Sequence, residues 1–377
     1  MCIRDRGQMC LKGDGVPQND QEAVRWWTLG AQKGDSTAQY DLGWCCEKGR
    51  GIGQDYAQAA YWYRRSADGG DSDAMCNLGW LYEAGQGVEQ SWEKAAEWYL
   101  RSAEAGSGRA MGNLAWCYEH SKGVEQDYPE AARLYLRAAE QDYPRGQLCM
   151  GFCCERGRGV PLDPSAAADW YRKAAEQEDE DAQCCLGFLY ESGQGVEQSW
   201  EEAVRWYRAA AEQGMPRAQC NLAWCYEYGK GVEQNWKRAV HWYRQAADQE
   251  DPRGMFCMGI CCKYGRGVEQ NWEEAVQWYR RAVDAGSAAA MCNLGVCYER
   301  GEGVERDAAE AARLYRQAAE REDAAAQCNL GYLYETGEGV EQNWQEAVRW
   351  YQAAAEQGYP RAQCNLAWCY EYGKGVE

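Results

Sequence analysis

The chain has 377 residues, a formal net charge of −19 and a hydrophobic fraction of 46%, apolar enough to build a core, which excludes bulk disorder. No apolar run approaches the ~20 residues that span a bilayer, so membrane insertion is not expected. A balance of 59 acids against 40 bases opposes binding to nucleic acid or anionic membranes. With only two histidines, His120 and His241, chemistry that needs several imidazoles is excluded as well.

Residues 1–6, MCIRDR, stand outside the pattern that governs the rest: Arg6 sits where Leu42, Leu78 and Leu114 sit in later copies. The segment resembles translated adapter sequence and reads as an artefact. From Gly7 to residue 377 a 36-residue period runs without insertion, the mark of a repeat architecture. Its signal, Gly-x-Gly-Val, opens at Gly13, Gly49, Gly85, Gly157, Gly193, Gly229, Gly265, Gly301, Gly337 and Gly373; Ser121 replaces the opening glycine once and Ile52 the valine once. Residues 189–233 and 333–377 differ at six positions, four periods apart, which points to recent block duplication. The chain stops inside a period, at Gly375-Val376-Glu377. Residues 7–377 are therefore expected to be a single array truncated at both ends, and the lack of a signal peptide carries no information.

Within residues 71–106, Asp71 suits the N-cap of a first helix. In other copies Pro144, Pro216, Pro252 and Pro360 take the first helical position, where a missing N–H is harmless. Ala74, Leu78 and Tyr82 recur at helical spacing, and Gly79 leaves room for a close neighbour. Gly85 and Gly87 end the helix with backbone angles that side chains oppose. A second N-cap column follows: Asn19, Asp55, Ser91, Asp127, Asp163, Ser199, Asn235, Asn271, Asp307 and Asn343, all strong capping types. Glu202, Glu274 and Glu346 lie three residues further on and predict a capping box. The second helix carries Ala95, Trp98, Tyr99 and Ala103. One such helix–turn–helix cannot bury both of its faces, whereas stacked neighbours can, as a solenoid.

The pattern A-x3-LG-x2-Y-x2-G-x-GV, then A-x2-WY-x2-AA-x2-G, resembles the Sel-one-like repeat, a relative of the tetratricopeptide repeat, across residues 7–377. Leu134 and Leu314 stand in the Trp column, and Cys46, Cys154 and Cys262 in the Tyr column, departures that a core tolerates. The resemblance implies an all-α fold: a right-handed superhelical α-solenoid of about ten 36-residue helix–turn–helix repeats. It also implies a non-catalytic adaptor or scaffold whose partners are proteins or peptides.

At about 100° per residue, Ala74, Leu78, Tyr82 and Gly79 gather on one side of the first helix. Trp80 falls almost opposite, with Asp73, Cys76, Asn77 and Ala84 beside it. The resemblance puts first helices on a concave wall, so this face is expected to line a groove. Its aromatic column is Trp44, Trp80, Trp116, Phe152, Phe188, Trp224, Tyr332 and Trp368, interrupted by Ile260 and Val296. Its amide column holds Asn77, Asn113, Asn221, Asn293, Asn329 and Asn365, and one turn earlier come Arg109, Arg145, Arg217, Arg253 and Arg361, with Asp73 and Asp181 interspersed. The set suits an extended peptide: an Asn amide donates to and accepts from a peptide unit, Trp and Tyr are rigid anchors, and Arg takes a carboxylate bidentately. Two other readings stand beside this one. The rings could pack between layers as a second core seam, leaving the acidic outer surface or self-association to do the work; and the asparagines could simply tie helices together. The glutamate column running from Glu47, Glu83 and Glu119 to Glu371, broken by Lys263, reads as a solvated edge.

Of the 21 cysteines, all but Cys2 fall in first helices. Positions four apart on a helix have Cβ atoms ~5–6 Å apart, whereas a disulfide wants ~3.5–4.5 Å, and the next layer is ~10 Å away. The secreted, cysteine-rich branch of the resembling family pairs a second-helix cysteine with a first-helix one, and no second helix here has any. The cysteines therefore read as small buried hydrophobes, which favours a reducing compartment such as the cytoplasm. No CxxC spacing suggests zinc, no GK[ST] follows the glycine-rich turn, and His120 and His241 fall in different columns. No cofactor, metal site or catalytic residue is expected.

Overall fold

The computed structural model describes residues 3–376, among which there are 21 α-helices and no strand. First and second helices alternate, as in Ser72–Ala84 with Trp92–Glu104 and Gly108–His120 with Tyr128–Glu140. The fold is the all-α solenoid of 36-residue hairpins read from the sequence. It divides into two compact units, Met1–Glu197 and Gln198–Glu377, each built from such hairpins. Residues 3–6, which the repeat frame leaves out, run into the helix Ile3–Lys12, and the Arg6 guanidinium lies 5.0 Å over the Trp26 ring; Met1 and Cys2 lie outside the described residues. Among the described residues no helix is long and apolar enough to cross a membrane.

The caps form where the sequence places them. Each of the ten second-helix N-caps accepts from a backbone N–H of the first turn, as Ser91 does from Lys94 and Asn235 from Arg238. At Tyr143, Met215 and Tyr359 the first helix has no side-chain cap, and a proline follows each. The capping box does not close. The N-cap amides of Asn271 and Asn343 donate instead to the carbonyls of Cys262 and Tyr334 on the preceding helix, at 2.9 Å each. The N3 glutamates turn outward, Glu202 to Arg205 and Glu346 to Arg349. A tertiary acceptor has taken the donor that the box would have satisfied.

Two glycine columns mark close approaches, the first replaced by Ala115, Ala223 and Ala367 in three repeats. A Cβ on Gly79 would lie 2.7 Å from the ring of Tyr99, the fully buried tyrosine of the second helix, and Gly151 and Gly295 face Tyr171 and Tyr315 in the same way. The second glycine of Gly-x-Gly-Val does more than turn the chain. At Gly87 (φ 69°) a Cβ would lie 2.2 Å from the Tyr56 carbonyl carbon, and at Gly231 (φ 65°) 2.2 Å from the Trp200 carbonyl oxygen. That turn thus seats itself on the first residue of the preceding repeat's second helix. Buried glutamines add a polar tie between repeats: Gln219 Nε2 donates to the Ala211 carbonyl and Gln327 Nε2 to that of Ala319, both at 3.2 Å.

The glutamate column is not a solvated edge. The Tyr99 hydroxyl donates to Glu83 at 2.6 Å, Tyr63 to Glu47 at 2.7 Å, Tyr243 to Glu227 at 2.8 Å and Tyr315 to Glu299 at 2.6 Å. Each bond joins the two helices of one hairpin. Burial, then the carboxylate itself, raises these phenols well above their ordinary range, so they remain donors. Where Lys263 breaks the column, the buried Tyr279 hydroxyl has no partner.

Candidate functional site

In the unit Met1–Glu197, three consecutive first helices, Ser36–Lys48, Ser72–Ala84 and Gly108–His120, open onto a hollow of about 380 Å³. Trp44, Trp80, Asn77, Asn113, Arg109 and Lys48 line it, joined by Tyr40, Tyr143, Cys76 and one acid, Glu47. The aromatic, amide and arginine columns therefore do share one face. Trp80 is 37% exposed, Trp116 and Phe188 38%, and Trp368 41%, while Trp44, Phe152, Trp224 and Tyr332 are half-buried.

Three of these indoles are braced by aromatic partners that the helical wheel does not reveal. Trp116 lies 5.7 Å from Trp92, the first residue of the preceding second helix, and stacks on His120 at 4.4 Å. Trp224 is held by Trp200 and Tyr228 at 5.7 and 4.9 Å, and Trp368 by Trp344 and Tyr372 at 5.9 and 5.1 Å. The outer tryptophan of each trio has a loop lysine over its ring: Lys122, Lys230 and Lys374, at 5.5, 5.5 and 5.6 Å, within reach of the ring quadrupole. The sequence does carry this signal. The residue between the two loop glycines is a cation where an aromatic stands thirty positions earlier (Trp92, Tyr128, Trp200, Trp236, Trp344), but Gln194 after Pro164 and Glu338 after Ala308. Tyr56 and Trp272 depart from this pairing, facing Gln86 and Glu302 in that register, and Arg50 follows Asp20 instead of a ring; at Trp272, Lys263 Nζ supplies the cation at 5.4 Å.

The amides are already engaged within the array. Arg109 donates to Asn77 Oδ1 at 2.8 Å and Arg253 to Asn221 Oδ1 at 2.7 Å, with Arg361 and Asn329 at 3.4 Å. Asn113, Asn329 and Asn365 point Nδ2 at Cys76, Cys292 and Cys328 Sγ of the repeat before, at 3.7–3.9 Å. Asn293 donates to the Ala289 carbonyl on its own helix. Burial pushes the Cys76 thiol up to about 11 and that of Cys117 to about 12, so these sulfurs stay protonated at neutral pH and behave as packing atoms. Among the described residues no disulfide forms. The arginines differ in company: Arg109 approaches Asp73 at 3.6 Å and Arg145 pairs with Asp181 at 3.3 Å, whereas Arg217, Arg253 and Arg361 meet no carboxylate among the described residues and are exposed.

The family model of the Sel1 repeat matches eleven consecutive segments, residues 2–35, 36–71, 72–107, 108–143, 144–179, 180–215, 216–251, 252–287, 288–323, 324–359 and 360–377. Among solved structures, c5321, a protective antigen of uropathogenic Escherichia coli strains displaying an SLR fold, is 34% identical with a TM-score of 0.81, covering 100% of this chain and 80% of its own. A Sel1 repeat protein from Oxalobacter formigenes is 34% identical with a TM-score of 0.64, covering 81% of this chain and 89% of its own. No curated protein matches the sequence.

Proposed function

The chain belongs to the Sel1-repeat family, whose solenoids are typically non-catalytic protein–protein interaction scaffolds, and on that footing we propose that it holds an extended segment of a partner protein along its first-helix face. The observation that carries this reading is the open hollow in which Trp44, Trp80, Asn77 and Arg109 converge, with Trp80 more than a third exposed. Rings kept partly open by neighbouring rings are preorganised anchors, and preorganisation lowers the entropic cost of binding. The arginine–asparagine pairs leave arginine N–H groups free to turn to a ligand carboxylate or carbonyl. Protonated, unbridged cysteines fit work in a reducing compartment such as the cytoplasm.

A second reading, in which the acidic second-helix surface or self-association does the work and the rings only brace the repeats, draws support from the Trp116–Trp92 and Asn113–Cys76 contacts. Capture from a display library of random peptides separates the two. Binding should be lost in the Trp80→Ala/Trp116→Ala and Trp224→Ala/Trp368→Ala variants while their helical circular dichroism is kept. Undiminished capture by a folded variant carrying all four changes would favour the second reading.

A further inference from the structure

We infer that the partner segment held by the unit Gln198–Glu377 is acidic; this specifies the peptide-binding reading above and rests on it. Four of the columns that line the hollow of the other unit, those of Asp73, Asn77, Trp80 and Ala84, recur on the first helices Pro216–Tyr228, Pro252–Tyr264, Ala288–Arg300, Ala324–Thr336 and Pro360–Glu371. On those helices the four columns contain Arg217, Arg253, Arg300 and Arg361 and not one Asp or Glu, whereas the Glu47 and Tyr143 columns, which line the hollow as well, bring Glu227, Glu299, Glu335, Asp251 and Asp323. In a chain of net charge −19, four columns with arginines and no acid are a departure that calls for a cause. All four arginines are exposed, and among the described residues none forms an ion pair.

The nearest acids are occupied elsewhere. Asp251 accepts from the Gly254 N–H at 2.7 Å and lies 3.4 Å from Cys220 Sγ, Asp323 caps Ala326, and Glu227 and Glu299 accept from tyrosines. Between the arginines stand Tyr228 and Tyr264, each 54% exposed, and Tyr372. Arg217 and Arg253 stand one repeat apart, ~10 Å, and Arg361 three repeats beyond, a spacing that matches an extended peptide with acidic side chains at multiples of three residues, at ~3.3 Å per residue. A single-stranded nucleic acid would also present anions and stacking faces, but the net acidity of the chain opposes its long-range approach.

The other unit supplies the design of the test. There, Asp73 and Asp181 stand near Arg109 and Arg145, in the column occupied by Ala289 and Ala325. Ala289→Asp would face Arg253 as Asp181 faces Arg145, and Ala325→Asp would face Arg361 as Asp73 faces Arg109. Aspartate near a helix N-terminus is well tolerated, so this double variant should fold.

Fluorescence anisotropy on the full chain would compare a labelled (Glu-Ala-Phe)4 peptide, its Gln-for-Glu counterpart and a uridine dodecamer. The acidic peptide is expected to bind roughly tenfold tighter than the Gln peptide, a difference typical of charge-assisted hydrogen bonds, and to weaken as salt rises. A289D/A325D and R217Q/R253Q/R361Q should each lose roughly that factor. Equal binding of the two peptides that is lost in W224A/W368A would overturn the acidic assignment and leave the peptide-binding reading in place. Failure of both peptides to bind would overturn both. Tighter binding of the oligonucleotide, or unchanged affinity in a folded A289D/A325D, would reject an acidic peptide as the ligand.

Discussion

The units Met1–Glu197 and Gln198–Glu377 are built from one hairpin and differ in what that hairpin shows on its first-helix face. In the first, adjacent arginines 109 and 145 are flanked by aspartates 73 and 181, so the row is close to neutral. In the second, the aspartates are gone and arginines 253 and 361 rest on asparagine amides. The seats of the second loop glycine and the second-helix N-caps run through both, and so do the tyrosine–glutamate ties except at Lys263. One column can therefore be rewritten with little cost to the fold, because its contacts from helix to helix are exposed polar pairs outside the buried core. A repeat array can in this way vary its surface chemistry independently of its stability.

The first way to break the comparison is to attack what the units share. Gly87→Ala and Gly231→Ala force a left-handed backbone and a Cβ clash with the preceding repeat, and each should destabilise by about 2–4 kcal/mol from strain plus overpacking, read from urea unfolding. If either is tolerated, the turn is not the seat described here. Tyr99→Phe and Tyr243→Phe remove the donor to a partly buried glutamate and should each lose about 1–3 kcal/mol, with no difference between units. The single natural lapse can be repaired: Lys263→Glu gives the orphaned Tyr279 hydroxyl an acceptor and should raise stability by about 1 kcal/mol, despite loss of the cation over Trp272. A drop in melting temperature would mean that the lysine contributes more than the missing tie. The smallest effect sharpens the contrast: Arg145→Gln, which breaks an exposed ion pair, and Arg217→Gln, which breaks none, should both stay within about 0.5 kcal/mol of wild type. A large loss from Arg217→Gln would make that arginine structural.

Much of this was legible in the residues because it is local. N-caps, proline starts, glycine stops and the apolar stripe of each helix depend on neighbours within a turn or two, and a 36-residue period displays them ten times over. The misreadings involve partners further away. Glu83 lies at the margin of the apolar stripe and looks solvated until Tyr99, sixteen residues on, brings its hydroxyl across. The capping box failed for the same reason, since the Asn271 amide finds the Cys262 carbonyl before any glutamate reaches it. The aromatic column lies opposite Ala74 and Leu78, yet its bracing by Trp92, Trp200 and Trp344 crosses from one repeat to the next, and a single-helix projection has no coordinate for that. The asparagines, equally suited to a peptide or to a helix tie on chemical grounds, make ties to arginine and cysteine in the unliganded chain.

The central claim is that partners meet the first-helix face and not the outer face of the second helices. Hydroxyl-radical footprinting with mass spectrometry, with and without a captured peptide, tests it most directly. The account predicts that peptide lowers oxidation of Trp80, Trp116, Trp224 and Trp368 and leaves Leu29, Tyr61 and Leu100, exposed on second helices, unchanged. Protection of Leu29, Tyr61 and Leu100 with the four tryptophans unaltered would contradict it.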